Sequence, residues 1–206
     1  MQEKEVFLKK ISNISIIFYI LIFLVISKNV GAGDIIFQSK IYEYINQIKG
    51  FKSNLIQASN NSIEEGSLYL KNKKLRIDYN TPSKIRIIIT EKKAMYYNID
   101  LQEVQYFDPR NTPAYIFFNM FYSKEFFNNA SFNNNKNNIV VTKKINVDDQ
   151  EYSLNIYFEK NPLLIRKIES TVNNEKTIYS IVNPDFNPTI DLKFFSLLNP
   201  IINNLN

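Results

Sequence analysis

From Phe51 onward, apolar residues recur at every second position in short runs broken by turn signals. A period of two is the signature of strands that bury one face, and no helix tolerates it. The runs are Phe51–Gln57, Gly66–Lys71, Leu75–Tyr79, Ile85–Thr90, Met95–Ile99 and Glu103–Phe107. Between them stand Asn60-Asn61-Ser62, Asn72-Lys73-Lys74, Thr81-Pro82-Ser83, Glu91-Lys92-Lys93 and Asp100-Leu101. Strands this closely spaced leave no room for crossover helices, which predicts an antiparallel meander rather than βαβ units.

The pattern then changes. Asp108-Pro109 breaks it, and Thr112-Pro113 reads as a helix N-cap with proline in the first turn. Ala114–Tyr122 is apolar almost throughout, and Lys124–Phe127 reads as a second short helical piece. The Asn-rich segment Asn128–Asn138 reads as an exposed loop. Strands resume at Ile139–Lys144, Tyr152–Glu159, Leu163–Thr171 and Thr177–Val182, with Asp148-Asp149-Gln150 among their turns. Upstream, Phe37, Ile41, Tyr44, Ile45 and Ile48 recur at helical spacing, with Gly50 as a stop. The order is thus helix, six strands, apolar helix, then four or more strands. A single sheet of that size must curl, and its apolar face needs a cover. The expected fold is mainly β with α: a curved antiparallel sheet forming an unclosed half-barrel, covered by a helical lid.

The first residues differ from the rest. Lys4, Lys9 and Lys10 precede an uncharged apolar run, Ile14–Ile26, and the small residues Gly31-Ala32-Gly33 follow. Basic, apolar, small is the order of a secretory signal peptide, and the run falls short of the roughly 20 residues of a spanning helix. Residues 1–33 are therefore expected to be a signal peptide, with an uncleaved signal anchor as the alternative, and 34–206 the mature domain. Removing 1–33 takes away four Lys and two Glu, leaving 21 basic and 18 acidic residues, a net of +3. No long basic stripe accompanies it, which argues against nucleic acid as a partner. The chain has no His and no Cys. The usual bases, nucleophiles and metal ligands are absent with them, and so is the thiol that a lipid anchor would need. Asp148-Asp149 sits in a polar turn rather than across a cleft. No enzyme activity and no cofactor are expected.

Phe51-x-Ser-x-Leu55-x-Gln57 is similar to the first strand of the LolA family of lipoprotein carriers. Gly66-Ser-Leu-Tyr-Leu-Lys71, with Leu75-Arg-Ile-Asp-Tyr79-Asn-Thr-Pro82, resembles its next hairpin, and Tyr97-Asn-Ile-Asp-Leu101-Gln-Glu-Val104 its tyrosine-containing turn. Asn111-Thr-Pro-Ala-Tyr-Ile-Phe-Phe118 is similar to the start of its lid helix. The resemblance spans roughly Ile41 to Pro200. It implies a monomeric periplasmic carrier that holds acylated lipoproteins in an apolar cavity. The lipoproteins would come from an inner-membrane ABC transporter of the LolCDE type and pass to an outer-membrane receptor. An alternative is a periplasmic lipid- or peptide-sensing regulator of the same half-barrel architecture.

Candidate cavity residues follow from strand phase: Leu55, Leu68, Leu70, Leu75, Ile77, Tyr79, Met95 and Tyr97, with Ile116, Phe117, Met120 and Phe121 facing them from the lid. Any one of these serves equally as plain core. In the family, an arginine in the turn after the Gly66-type strand latches the lid through helix carbonyls. Here Lys71 and Asn72 hold that place, and neither carries a guanidinium fork.

Overall fold

The computed structural model describes residues 32–203. The chain parts into two units between Ile35 and Ile36, and the second contains the sheet. The expected signal segment lies outside the described residues except for Ala32 and Gly33. Among the described residues, no helix is long and apolar enough to cross a membrane.

Helix α1 (Ala32–Gln47) leads into six strands: β1 (Gly50–Ala58), β2 (Ile63–Lys71), β3 (Lys74–Thr81), β4 (Ile85–Ile89), β5 (Ala94–Asn98) and β6 (Glu103–Phe107). A 3₁₀ turn (Pro109–Asn111) and helix α2 (Ala114–Tyr122) follow. Then come β7 (Ser131–Asn134), β8 (Asn138–Val147), β9 (Gln150–Lys160), β10 (Leu163–Val172) and β11 (Glu175–Asp185). The tail holds a 3₁₀ turn (Leu192–Phe195) and a short helix α3 (Pro200–Asn203). All eleven strands join one antiparallel sheet in the order β6-β5-β4-β3-β2-β1-β11-β10-β9-β8-β7. Strands β1 and β11 meet in the middle, while β6 and β7 are the two edges and do not pair with each other. The half-barrel is therefore open, as the strand pattern predicts.

This order makes α2 a lid by topology. The chain leaves the sheet at one edge, β6, and re-enters at the other, β7. Eleven strands spaced about 4.8 Å apart would lie roughly 48 Å across if flat. A nine-residue helix covers only about 13 Å. Curling the sheet brings the edges within reach, and the crossing segment then lies over the concave face. Its apolar residues Ile116, Met120 and Phe121 are buried there, in one cluster with Ile41 and Ile45 of α1 and with the inward residues of the strands. Phe37, Tyr44 and Ile48 pack against the same cluster, so all five helix positions expected to be apolar-facing meet the core.

Three hairpins use Asn and Asp for a specific backbone reason. Asn72 and Lys73, Asp148 and Asp149, and Asn173 and Asn174 are pairs with positive φ between consecutive strands. Two successive positive φ values make the turn whose twist suits a two-residue hairpin, and Asn and Asp tolerate that conformation best. Asp148-Asp149 is thus a tight turn. Gly66 has a different duty. The β2–β3 register slips between Glu65 and Gly66, and a Cβ on Gly66 would lie 2.1 Å from the Asp78 carbonyl oxygen. Glycine is what lets the two backbones approach at the bulge.

Four local expectations need correction. The Asn128–Asn138 segment contains strand β7, paired with β8 from Ser131↔Thr142 to Asn134↔Ile139. Only Phe132 in that strand is buried, too little for a readable period. Lys124–Phe127 forms turns rather than a helix, although Phe126 and Phe127 are both buried. The N-cap of α2 is Pro113; the Thr112 hydroxyl instead donates to the Pro109 carbonyl at 2.7 Å and closes the preceding 3₁₀ turn. Gly50 opens β1, the helix having ended at Gln47.

The convex face has its own cover. Ile88, Met95, Tyr97, Ile190 and Phe195 form a second buried cluster under the C-terminal tail. Arg76, only 6% exposed, holds the tail in place. Its guanidinium binds the Asp78 carboxylate, donates to the Phe194 carbonyl at 2.6 Å, and stacks 3.6 Å from the centre of the Phe194 ring. Replacing Gly66 with alanine is expected to destabilise the domain by about 2 kcal/mol or more, because the clash is with backbone rather than a flexible side chain. Urea unfolding of the purified variant measures it.

Candidate functional site

An apolar cavity lies between α2 and the concave face, in two chambers. The first, about 300 Å³, is lined on the sheet side by Ile77 and Tyr79 of β3, by Ile85, Ile87 and Ile89 of β4, and by Tyr96 of β5. Pro113, Ala114 and Phe117 close it from the lid, with Gln57, Glu64 and Tyr179 completing the wall. The second, about 200 Å³, runs between Ile116, Phe117 and Met120 of the lid and Leu154, Ile168 and Val172 of the far strands. Both chambers share Pro113, Phe117 and Tyr179. Phe117 meets the Tyr179 ring edge-on, with centroids 4.6 Å apart and planes at 70°. That aromatic pair is the partition between the chambers. Such a contact is worth about 0.5–1.5 kcal/mol beyond simple burial, little enough for thermal opening.

Strand register decides which side chains reach the cavity. Leu75 pairs with Ile89, Ile77 with Ile87 and Tyr79 with Ile85, so these six share the concave face. Ile87 in turn pairs with Tyr96, and Ile89 with Ala94. Met95 and Tyr97 therefore point the other way, beside Ile88 and beneath the tail. Their expected place in the cavity is corrected: the concave phase of β5 falls on the residue between them, and Tyr96 is the lining side chain. Leu55, Leu68, Leu70 and Leu75, each at most 3% exposed, do face inward but are packed core beneath the lid. Ile77, Tyr79, Ile116, Phe117 and Met120 line the chambers. Phe121 packs instead on Phe51, with ring centres 6.2 Å apart.

The contribution of β4 and of the second half of the sheet is not visible in the alternation alone. Ile85, Ile87 and Ile89 alternate correctly, but Ile88 between them obscures the phase. Tyr152, Leu154, Ile156 and Phe158 of β9 alternate cleanly, and only the register through β10 to β11 shows that they share the same cavity face.

Polar groups are few: Gln57, Glu64 and tyrosine hydroxyls in the first chamber, Ser170 and Thr177 in the second. The Tyr79 hydroxyl donates to Gln57 Oε1. Burial, reinforced by neighbouring Tyr179 and Glu64, pushes the Tyr79 phenol far above the ordinary tyrosine range. Burial likewise pushes Tyr179 up to about 12, with the Glu64 carboxylate adding to it. Both phenols stay protonated and neutral across physiological pH.

The expected latch residues Lys71 and Asn72 make other contacts. The Lys71 ammonium donates to the Ile190 carbonyl, in the tail on the convex side, and Asn72 serves the hairpin turn. The bond between this hairpin and the lid runs the other way. The Tyr122 hydroxyl, at the last residue of α2, donates to the Lys74 carbonyl at 2.9 Å. The lid thus carries the donor and the sheet the acceptor. One neutral hydrogen bond contributes about 1 kcal/mol. Tyr122→Phe should therefore raise amide hydrogen exchange in α2 about fivefold, read by mass spectrometry, with the sheet unaffected.

The family model described as outer membrane lipoprotein carrier protein LolA matches residues 46–197. No curated protein matches the sequence. Among solved structures, an uncharacterized conserved protein from Thermus thermophilus is similar at 7% identity, covering 76% of this chain and 91% of that one, with a TM-score of 0.48. A DUF1329 family protein from Desulfovibrio piger is similar at 8% identity, covering 80% and 98%, with a TM-score of 0.46. The MucA/MucB complex of Pseudomonas aeruginosa is similar at 8% identity, covering 76% of this chain and 60% of that chain, with a TM-score of 0.44.

Proposed function

The chain belongs to the LolA family of outer membrane lipoprotein carrier proteins, and from that premise we propose that it binds the acyl chains of lipoproteins and ferries them through the periplasm. The observation that carries this reading is the cavity beneath α2, whose walls are mostly apolar. An acyl chain needs such walls and no compulsory polar partner. The donor would be an inner-membrane ABC transporter and the destination the outer membrane.

Magnitudes constrain how such a carrier works. Each buried methylene contributes about 0.8 kcal/mol, so complete burial of one long chain yields roughly 10 kcal/mol. Complete burial of two or three would make release too slow for a ferry. The two chambers together hold about 500 Å³, within the range of roughly 300–1,000 Å³ typical of ligand pockets. Chains longer than the chambers would stay partly exposed, or would have to displace Phe117 from Tyr179. Re-forming that contact and the Tyr122–Lys74 bond on closure returns part of the binding energy and so favours release. The chain has no phosphate-binding loop, so the work of loading falls to the transporter.

The direct test is incubation of the mature protein with spheroplasts. Lipoproteins should appear in the soluble fraction, and failure where an established carrier succeeds would sink the transport reading. Ile77 is the informative position to alter: it lines the chamber, whereas Leu75 is fully buried core. Ile77→Glu is expected to cut acyl-probe affinity at least tenfold while circular dichroism stays native, since a buried carboxylate and an alkyl chain cannot share the wall.

A further inference from the structure

One carboxylate on the concave face has no ion-pair or hydrogen-bond partner among the described residues. Glu64 is in phase with Leu68 and Leu70 on β2, both core residues, so it stands on the inner face while Glu65, Ser67 and Tyr69 point outward. It pairs across the sheet with Gln57 of β1, and Gln57 pairs with Tyr179 of β11, which sets the three side by side along one row. All three line the first chamber. Every ion pair among the described residues lies elsewhere, and neither chamber is lined by a lysine or arginine.

A half-buried carboxylate against an apolar cavity is costly unless something positive meets it. No cation among the described residues does so. Glu64 instead shares the chamber wall with neutral polar groups, the Gln57 amide and the Tyr79 and Tyr179 phenols. A ligand whose head is anionic would be repelled there. A ligand with an ammonium head would gain a charge-assisted hydrogen bond in a water-poor site.

We infer that Glu64 is the headgroup subsite of this cavity and that it accepts a primary ammonium carried at the glyceryl end of an acylated ligand. The inference rests on the acyl-binding reading above and narrows it. Two ligand sources carry this chemistry: the free α-amino group of a diacylglyceryl-modified N-terminal cysteine, and the ethanolamine head of a phospholipid. An N-acylated cysteine carries no charge at that nitrogen and loses the interaction.

Calorimetric titration of the mature protein at pH 7 with decylamine, decanol and decanoate tests the subsite. Decylamine should bind about tenfold more tightly than decanol, the scale of one hydrogen bond to a charged group, and decanoate more weakly than either. Glu64→Gln should erase the amine preference, so that decylamine and decanol bind alike. Equal binding of amine and alcohol, or a preference that survives in the variant, overturns the inference while leaving acyl binding intact. Failure of all three compounds to bind overturns both. Two further ligands separate the sources: a dipalmitoylglyceryl-cysteine peptide with a free amine, and dipalmitoyl phosphatidylethanolamine. Tighter binding of the peptide supports the inference and assigns the ammonium to a lipoprotein; the reverse supports it and assigns a phospholipid. If N-acetylation of the tighter ligand leaves its affinity unchanged, the subsite is not there.

Discussion

The pairing of β1 with β11 in the middle of the sheet governs the rest of the architecture. Once the first and last strands meet, the two halves of the chain must spread outward from them, and the midpoint must cross from one edge to the other. In a curled sheet, the crossing that buries apolar surface runs over the concave face. An apolar α2 satisfies this requirement, and the cavity is the space that a short helix cannot fill beneath a wide sheet. Lid, cavity and open edge are consequences of one strand order.

The two faces of the sheet are covered unequally, and the difference suits their roles. On the convex side the tail is held by a buried guanidinium, with an ion pair, a carbonyl bond and ring stacking all converging on Arg76. Removing one partner of such a group is costly, so this cover is fixed. Over the concave side, the lid is joined to the β3 end of its hairpin by the neutral Tyr122–Lys74 bond and meets β11 through the Phe117–Tyr179 edge contact. Those interactions are weak enough to break and re-form. A rigid back and a yielding front are what the proposed carrier role requires.

Much of this was legible in the residues. Period-two alternation located ten of the strands, and the apolar run Ala114–Tyr122 announced a cover before any sheet order was known. Phase within a strand was less secure. Ile88, Met95 and Tyr97 are as apolar as their concave neighbours because the tail buries them too, so alternation alone cannot say which face is the cavity. The edge strand β7 was hidden for a related reason: with Phe132 its sole buried side chain, its place is set by pairing to β8 rather than by its own pattern. The lid bond escaped because it depends on a tertiary contact between residues 48 positions apart. Glu64 escaped because an acid at a strand end reads as solvent-facing until register places it on the inner row.

The central claim is that acyl chains occupy the space between α2 and the concave face. Photo-cross-linking with a diazirine-bearing acyl chain, followed by peptide mapping, tests it most directly. Labels should fall on the lid at Phe117 and on the sheet at Ile77, Ile87 or Tyr179. Labels confined to Met95, Tyr97 and Phe195 on the convex face, with none on α2, would contradict it.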